Sequence, residues 1–238
     1  AKEQLAWRIF DNLINRYREP SFALFQCAEL AEDRAIMMER FANHVLNLNE
    51  YGLVRQKGGL SSFHIPDKVI TDPVWKARYD EGFMKSQYHC RCQRNERIAL
   101  EKHAAVKGCR LIIDPFIHHK RYSESAELVR VQTLLEFLES MTDDKVEIAL
   151  NTNMDREESI TIVGDWFIAE AVSAGIAQGY RQTIFTRHAP SMRTKIDLFD
   201  QEFNELLQQA GWRPEESRQR VIEALKSHIE KLRSILGK

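Results

Sequence analysis

An acidic residue, Asp165, interrupts the middle of the largely apolar stretch ESITIVGDWFIAEAVSA, residues 158–174. It lies between Gly164 and Trp166, where a charged joint would connect two strands. A carboxylate at such a joint can be a catalytic group, or it can be what remains of a site that has lost its chemistry. The residues at fixed distances from Asp165 decide between these two interpretations.

A second polar group follows on the predicted strand YRQTIFTRH, residues 180–188. Alternation along a strand places Arg181, Thr183, Phe185 and Arg187 on one face. Two arginines and an aromatic ring can bind an anionic or polar ligand, and they can equally form an ion-paired sheet edge. Both interpretations stay open. The predicted ligand-binding set is Asp165, Glu170, Arg181, Thr183, Arg187 and His188.

A third group could bind metal. Five candidate ligands lie within 21 positions: His89, Cys90, Cys92, His103 and Cys109. Structural zinc sites favour two closely spaced ligand pairs, and a lone C-x-C with scattered histidines does not have that spacing. We therefore expect no metal and no other cofactor, with Cys109 a buried small residue and His103 a residue on a helix surface.

Composition sets the class of protein. The chain has 238 residues, of which 43% are hydrophobic and 29% charged, as in an ordinary globular protein. No apolar run approaches the ~18 residues of a membrane span, and the four cysteines do not form a secreted disulfide framework. These patterns predict a cytoplasmic protein without a membrane partner. The net charge of −1 means that any DNA binding must come from a local patch.

The elements that would position these residues fall into four segments. Residues 1–70 read as three helices, the second over 22–31, followed by the hairpin LVRQKGGLSSFHIP. Residues 71–95 read as a linker helix. Residues 96–213 alternate strands with helices, including a helix over 196–212, which predicts layers around one mixed sheet. Residues 214–238 form an amphipathic helix whose narrow apolar stripe could fold back or pair with its twin, and we expect a homodimer.

Three helices and a hairpin, joined by LNEYGLVRQ, resemble a winged helix-turn-helix domain. The resemblance implies that the third helix enters the major groove of double-stranded DNA while the wing touches its backbone. The residues so placed are Arg34, Arg40, Asn43, His44 and Asn47 on the helix, with Arg55 and Lys57 on the wing. Residues 1–70 carry nine basic and nine acidic side chains, however, which also suits a protein-docking module.

The order of elements in residues 96–213 resembles one half of a phospholipase D-like domain, whose active members carry H-x-K-x₄-D. With Asp165 at the motif's Asp, Glu158 falls at the His position and Ile160 at the Lys position. The nucleophile and the phosphate-binding cation are then both absent, so the resemblance implies a non-catalytic domain. The triplet His118-His119-Lys120 also contains H-x-K, but Ser125 stands where Asp is required, and we interpret it as a loop.

Together the segments predict an α+β protein: a winged helix-turn-helix, an α/β mixed-sheet phospholipase D-like domain and a C-terminal helix. This order is similar to sensor regulators of the TrmB type, which implies a DNA-binding transcriptional regulator, not an enzyme, that senses a small anionic or polar ligand. One alternative is a non-enzymatic subunit of a larger complex that docks protein through the winged helix. A nuclease using His188 is a further alternative, but Lys is missing two positions after it.

Overall fold

The apolar runs of the sequence assemble into one mixed sheet with helices on both faces. The structure is a computed structural model that describes residues 25–28, 37–38, 52–58, 87–115, 124–142, 144–154, 159–173 and 181–237. Its strands are β1 (Phe25–Ala28), β2 (Val54–Lys57), β3 (Cys109–Ile113), β4 (Val146–Leu150), β5 (Ser159–Val163), β6 (Phe167–Ser173) and β7 (Arg181–Thr186). Its helices are α1 (Gln87–Lys107), α2 (Glu124–Ser140), α3 (Ala189–Ala210) and α4 (Pro214–Ile235).

The seven strands have the spatial order β1-β7-β6-β5-β2-β3-β4. Strands β2, β3 and β4 run parallel to one another, whereas β5, β6, β7 and β1 continue as antiparallel neighbours. Strand β2 joins the two halves because it pairs with β3 in parallel and with β5 in antiparallel orientation. The direction of the sheet therefore changes between β2 and β5.

Each face of the sheet has its own apolar core, because alternate residues of a strand point to opposite sides. On one face Leu111 and Ile113 pack with buried residues of α2 and α4. On the other face Ile112 packs beneath α3, which contributes its buried side chains Met192, Phe199, Phe203 and Leu207. The helices are thus layered on both sides of the sheet, as the strand–helix alternation predicted.

The turn between β5 and β6 confirms the two adjacent strands expected around Asp165. Residues 164–166 form the turn, and Gly164 adopts a φ of 52° that favours glycine. The Gly164 amide also donates a hydrogen bond of 3.0 Å to the carbonyl oxygen of Leu53, which leads into β2. The turn is therefore fastened to the middle of the sheet.

Two elements differ from the prediction. Residues 25–28, expected within a helix, form the edge strand β1, which pairs antiparallel with β7. Residues 54–57, expected in the wing of a separate unit, form β2 in the middle of the sheet. Both differences have the same cause: backbone groups of β7, β3 and β5 need partners, and pairing with distant segments satisfies them. Except for residues 25–28, 37–38 and 52–58, the predicted winged helix lies outside the described residues and stays a prediction.

Helix α3 begins at Ala189, seven residues before the predicted start, since Pro190 occupies the first turn, where its missing N–H costs nothing. It ends as predicted at Gly211, whose φ of 67° gives the left-handed cap.

Helix α4 folds back on its own domain. Its apolar stripe, Val221, Ile222, Leu225, Ile229 and Leu232, is buried against α2 and the sheet. Three polar contacts fasten it: Ser217 Oγ accepts the Ile148 N–H at 2.9 Å, Arg218 Nε donates to Leu138 O at 2.8 Å, and His228 Nε2 lies 2.7 Å from Glu127 Oε1. The expectation that this stripe pairs with a second copy is wrong, because the fold already covers it. The aromatic run from Trp75 to Phe83, which sequence patterns offer as a second dimer contact, lies outside the described residues.

In the part of the chain that the structure describes, no helix is both long and apolar enough to cross a membrane.

Truncation of the α4 stripe tests this packing. Leu225 is fully buried, at 0% exposure, so Leu225→Ala should lower the free energy of unfolding by about 2–5 kcal/mol through lost burial and a cavity. Ile235, on the same helix but 68% exposed, is the matched control, and Ile235→Ala should change it by less than about 0.5 kcal/mol. Urea unfolding followed by circular dichroism measures both. Equal, small effects would show that α4 is not docked on the sheet.

Candidate functional site

A row of side chains crosses three adjacent strands on the face that α3 covers. Lys57 of β2 is the register partner of Ile160 of β5, which is in turn the register partner of Glu170 of β6. Because residues opposite one another on neighbouring strands share a face, the row presents a cation, an apolar group and a carboxylate side by side. Ile160 stands between the two charges.

Helix α3 supplies the opposite charge to each end of this row. Lys57 Nζ lies 2.9 Å from Glu202 Oε2, and Lys195 Nζ pairs with Glu170 Oε1. Asn151, just after β4, also donates to Glu202 Oε1 at 3.2 Å. The sheet and the helix are therefore cross-linked by two ion pairs of opposite polarity.

A cleft of about 230 Å³ opens between these pairs. Its apolar surface comes from Ile160, Leu198 and Phe199, and Ser159 and Ala171 complete the lining with the four charged residues. Phe199 is 4% exposed and forms the floor, whereas Leu198 is 56% exposed. The described cleft is thus an apolar surface with two lysines and two glutamates around it.

The position of the cleft follows from the sheet topology. It lies at the carboxyl end of β2, next to β5, where the sheet changes from parallel to antiparallel. In open α/β sheets, ligands bind in the crevice outside the carboxyl ends of the parallel strands, and the cleft lies at that end of β2. The place and the charged lining agree in marking this cleft as the candidate ligand site.

A second charge network lies beside the cleft, nearer the amino ends of the parallel strands. Arg55, Arg110 and Glu147 are register partners on β2, β3 and β4. Arg55 donates two hydrogen bonds of 2.8 Å to the Asp200 carboxylate, and Arg110 donates to Asp200 Oδ1 at 3.0 Å and to Glu147. Arg110 also lies over the Phe203 ring, 5.3 Å from its centre. Asp200 of α3 is therefore the hub between the helix and the parallel strands.

Protonation of this network follows from its partners. Burial raises the pKa of Asp200, but hydrogen bonds and attraction from Arg55 and Arg110 outweigh it, so the pKa lies below its ordinary value of 3.8. Burial lowers the pKa of Arg110, but Glu147 and Asp200 raise it above its usual range. Both groups stay charged at neutral pH.

The six predicted ligand residues do not meet in one place. Asp165 is exposed in the β5–β6 turn, at the opposite end of β5 from Ser159. Arg187 follows β7 and lies over the Trp166 ring, 4.9 Å from its centre. His188 Nδ1 lies 2.8 Å from Ser191 Oγ in the first turn of α3. These residues occupy the end of the sheet away from the cleft.

Two of the remaining three predicted ligand residues lie on opposite faces of the sheet. Thr183 is 2% exposed and lies on the face opposite α3, in register with Ala171. Glu170 faces α3 and lines the cleft, and among the predicted ligand residues whose side chains are described it alone does so. Arg181 is the first residue of β7, and its side chain lies outside the described part of the chain.

Of the predicted DNA-binding residues, the structure describes Arg55 and Lys57. Arg34, Arg40, Asn43, His44 and Asn47 lie outside the described residues. Arg55 and Lys57, predicted on a wing, instead have their charges directed to α3, at Asp200 and Glu202. Lys57 thus belongs to the cleft, and Arg55 to the network beside it.

Two of the candidate metal ligands, Cys109 and His103, have other roles. Burial, together with the charge of Glu147, raises the pKa of the Cys109 thiol to about 12, so it stays protonated as an inert core residue. His103 was expected on the surface but is 4% exposed, and its Nε2 donates to the Gly52 carbonyl oxygen at 2.7 Å. Burial lowers its pKa, which favours the neutral ring. No three His, Cys, Asp or Glu residues among those described are grouped to hold a metal ion.

Sequence reasoning missed the contribution of α3. Lys195, Asp200 and Glu202 were assigned no role from the sequence, yet they face the sheet. The available signal was spacing: Lys195, Phe199 and Glu202 recur at intervals of four and three, on the same stripe as the core residue Phe203. Charges within an apolar stripe need partners, which predicts opposite charges on the opposing surface.

No protein-family model and no curated protein matches the sequence. Among solved structures, the chain is similar to TrmBL2, described as an archaeal chromatin protein whose structure shows a novel mode of DNA binding. The two are 7% identical with a TM-score of 0.45, and the match covers 86% of this chain. It covers 62% of the TrmBL2 chain, so this chain spans less than two thirds of that protein's length.

Neutralising Asp200 tests the network. Asp200→Asn should lower the free energy of unfolding at pH 7 by about 1–3 kcal/mol, because Arg55 and Arg110 lose a charged partner. Since the folded-state pKa of Asp200 is lowered, its contribution is present above the ordinary value of 3.8 and is lost as pH falls through the lowered pKa. The difference between wild type and variant should therefore shrink below about pH 4.

The matched control is Asp197→Asn, the same change at an exposed position of α3. It should leave stability within about 0.5 kcal/mol of wild type at both pH values. Urea titrations at pH 7 and pH 3.5 measure how the free energy of unfolding of each variant differs from that of wild type at each pH. A pH-independent effect of Asp200→Asn would contradict the ion-pair explanation.

Proposed function

We propose that the chain is a DNA-binding transcriptional regulator whose mixed α/β domain binds a small ligand and catalyses no reaction. The observation that carries the proposal is the cleft at the β2–β5 junction, whose described lining has charged binding groups but no activated nucleophile. Ile160, at the Lys position of the phospholipase D-like motif, forms part of its apolar surface. A site that retains the shape and charges of a binding pocket without the reacting group suits a sensor.

The described lining supports the absence of catalysis. It includes neither His nor Cys, and Ser159 is its hydroxyl group. Both carboxylates that could act as bases are engaged by lysines, so Ser159 has no free base to activate it. Asp165, the remaining residue of the motif, is exposed in a turn at the other end of β5.

Ligand binding in the cleft would affect DNA binding through β2. This strand belongs to the segment that sequence patterns assign to the winged helix, and its Lys57 lines the cleft. A ligand that alters the pairing of Lys57 would therefore act on the chain that leads into the DNA-binding unit. In this proposal the protein binds double-stranded DNA as a homodimer formed through the segment from Trp75 to Phe83.

One observation favours a different function. The nine basic and nine acidic residues of residues 1–70 cancel, whereas DNA-binding units usually carry a basic excess. The alternative is a non-enzymatic subunit that docks protein through its N-terminal unit. A salt-dependent affinity for duplex DNA distinguishes the two, because protein docking gives no phosphate-dependent slope.

The DNA-binding proposal is tested by fluorescence anisotropy with duplex DNA from the protein's own genomic neighbourhood at two salt concentrations. Arg40→Ala should weaken binding by about 1–3 kcal/mol if Arg40 reads a base, or should lower the salt slope by about one if it contacts phosphate. Lys226→Ala, an exposed lysine of α4, is the control and should bind like wild type. DNA binding that is absent at both salt concentrations would favour the docking subunit.

The absence of catalysis is tested with bis(p-nitrophenyl) phosphate and with single-stranded DNA. Purified protein should release no product above the buffer rate, because Glu158 and Ile160 replace the His and Lys of the active motif. Activity that disappears in His188→Ala or His118→Ala, with circular dichroism unchanged, would show that the catalytic motif lies elsewhere.

A further inference from the structure

We infer that the cleft binds a small zwitterion with a short apolar spacer, such as an ω-amino acid, rather than a simple anion or cation. This inference rests on the proposed ligand-binding function and specifies the chemical class of the ligand. It comes from three features of the described cleft: its balanced charges, the different exposure of its two ion pairs, and the exposed leucine at its surface.

The charges of the cleft cancel in two separate pairs. Lys57 is held by Glu202, and Lys195 by Glu170. An anion that binds either lysine must displace a glutamate and leave that carboxylate without its cation, and a cation has the reverse effect on a lysine. A ligand carrying both charges gives each displaced group a new partner, so no charge is left unpaired in the cleft.

The two pairs differ in how firmly they are held. The side chains of Lys57 and Glu202 are 15% and 33% exposed, and Asn151 adds a hydrogen bond to Glu202. Lys195 and Glu170 are 37% and 33% exposed, and among the described residues each has the other as its hydrogen-bonding partner. The Lys195–Glu170 pair is therefore the one that a ligand opens, since a partly exposed pair gains little from its own attraction.

The apolar surface defines the middle of the ligand. Leu198 and Ile160 line the cleft beside this pair, and Leu198 is 56% exposed, one of the few large apolar side chains so exposed in the described chain. Methylene groups between the two charges would cover it. A cleft of about 230 Å³ holds roughly eight water-sized groups at ~30 Å³ each. That is the size of δ-aminovalerate.

In the bound state, the ligand carboxylate accepts hydrogen bonds from Lys195 Nζ, and the ligand ammonium donates to Glu170. The methylene chain lies on Ile160 and Leu198. Lys57 and Glu202 stay paired and set the positive and negative sides of the cleft, which fixes the orientation of the ligand.

The test is isothermal titration calorimetry of the full chain at pH 7 with δ-aminovalerate, valerate and pentylamine. These probes share the same five-carbon chain and differ in charge. δ-Aminovalerate should bind with one-to-one stoichiometry, and valerate and pentylamine should each bind at least tenfold more weakly. Valerate or pentylamine binding as tightly as δ-aminovalerate, or no binding of δ-aminovalerate, overturns the inference.

Two variants should each change which of the three probes binds most tightly. Glu170→Gln frees Lys195, so the variant should prefer valerate to δ-aminovalerate. Lys195→Met frees Glu170, so that variant should prefer pentylamine. Lys195→Arg keeps the charge and should retain δ-aminovalerate binding within about tenfold, because guanidinium also pairs with carboxylates. A purely structural role for the pair would weaken all probes together, and that outcome also overturns the inference.

Lys226→Met is the matched control. It breaks a comparable exposed pair, with Glu139 at 2.7 Å, that joins α4 to α2 on the other face of the sheet. It should leave all three affinities unchanged, and a changed preference in this control would place the probe site elsewhere.

Anisotropy with duplex DNA, run with and without δ-aminovalerate, separates this inference from the proposed function. If the protein binds DNA but not δ-aminovalerate, the zwitterion inference is overturned and the proposed regulator has a ligand of another class. If it binds δ-aminovalerate but not DNA, the zwitterion site stands and the proposed regulator function is overturned.

Discussion

Strand β2 forms backbone hydrogen bonds with two neighbouring strands that run in opposite directions. Its backbone pairs in parallel with β3 and in antiparallel orientation with β5, so without it both strands would present unpaired edges in the middle of the sheet. Its side chains alternate in the same way: Val54 and Gln56 are buried on one face, while Arg55 and Lys57 reach α3 on the other. The four residues of β2 thus connect the two halves of the sheet with their backbone and direct Arg55 and Lys57 toward α3, and Lys57 lines the cleft.

The forces that hold α3 on the sheet divide between burial and charge. Its buried side chains, such as Phe199 and Phe203, each contribute about 1.5–3 kcal/mol, whereas a partly exposed ion pair contributes about 0–1 kcal/mol. Burial therefore supplies most of the free energy of docking. The charges determine how the helix is rotated and where it lies along the strands, since Asp200 must meet Arg55 while Glu202 meets Lys57. This division leaves the Lys195–Glu170 pair free to open without undocking the helix.

The cleft also bears on the proposed absence of catalysis. At position 160, which the resemblance to phospholipase D-like domains aligns with a lysine, the chain has isoleucine, and Lys57 lies directly across from it on the neighbouring strand. That cation is paired with Glu202, and the carboxylate of Glu170 lies on the other side of Ile160. Such surroundings repel a phosphate, and they suit a ligand of balanced charge. If residues 1–70 bind DNA as proposed, β2 is the strand by which a ligand in the cleft could act on that unit.

Local patterns in the sequence were enough to predict the β5–β6 hairpin around Gly164-Asp165, helices α3 and α4 by their periodicity, and the cap at Gly211, because these features depend on neighbours within a few residues. They could not place residues 25–28 or 54–57, since a four-residue run has no decisive period and its state is set by the strand it meets. The same limit applies to the site. Glu170 was identified on its own strand, but Arg55 and Asp200 are 145 positions apart, as are Lys57 and Glu202. The sequence by itself determined the long helices, the β5–β6 hairpin and which side chains carry charge. Only the tertiary structure decided the state of the short segments and which charges meet, because both depend on the order of the strands and on the face to which each residue points.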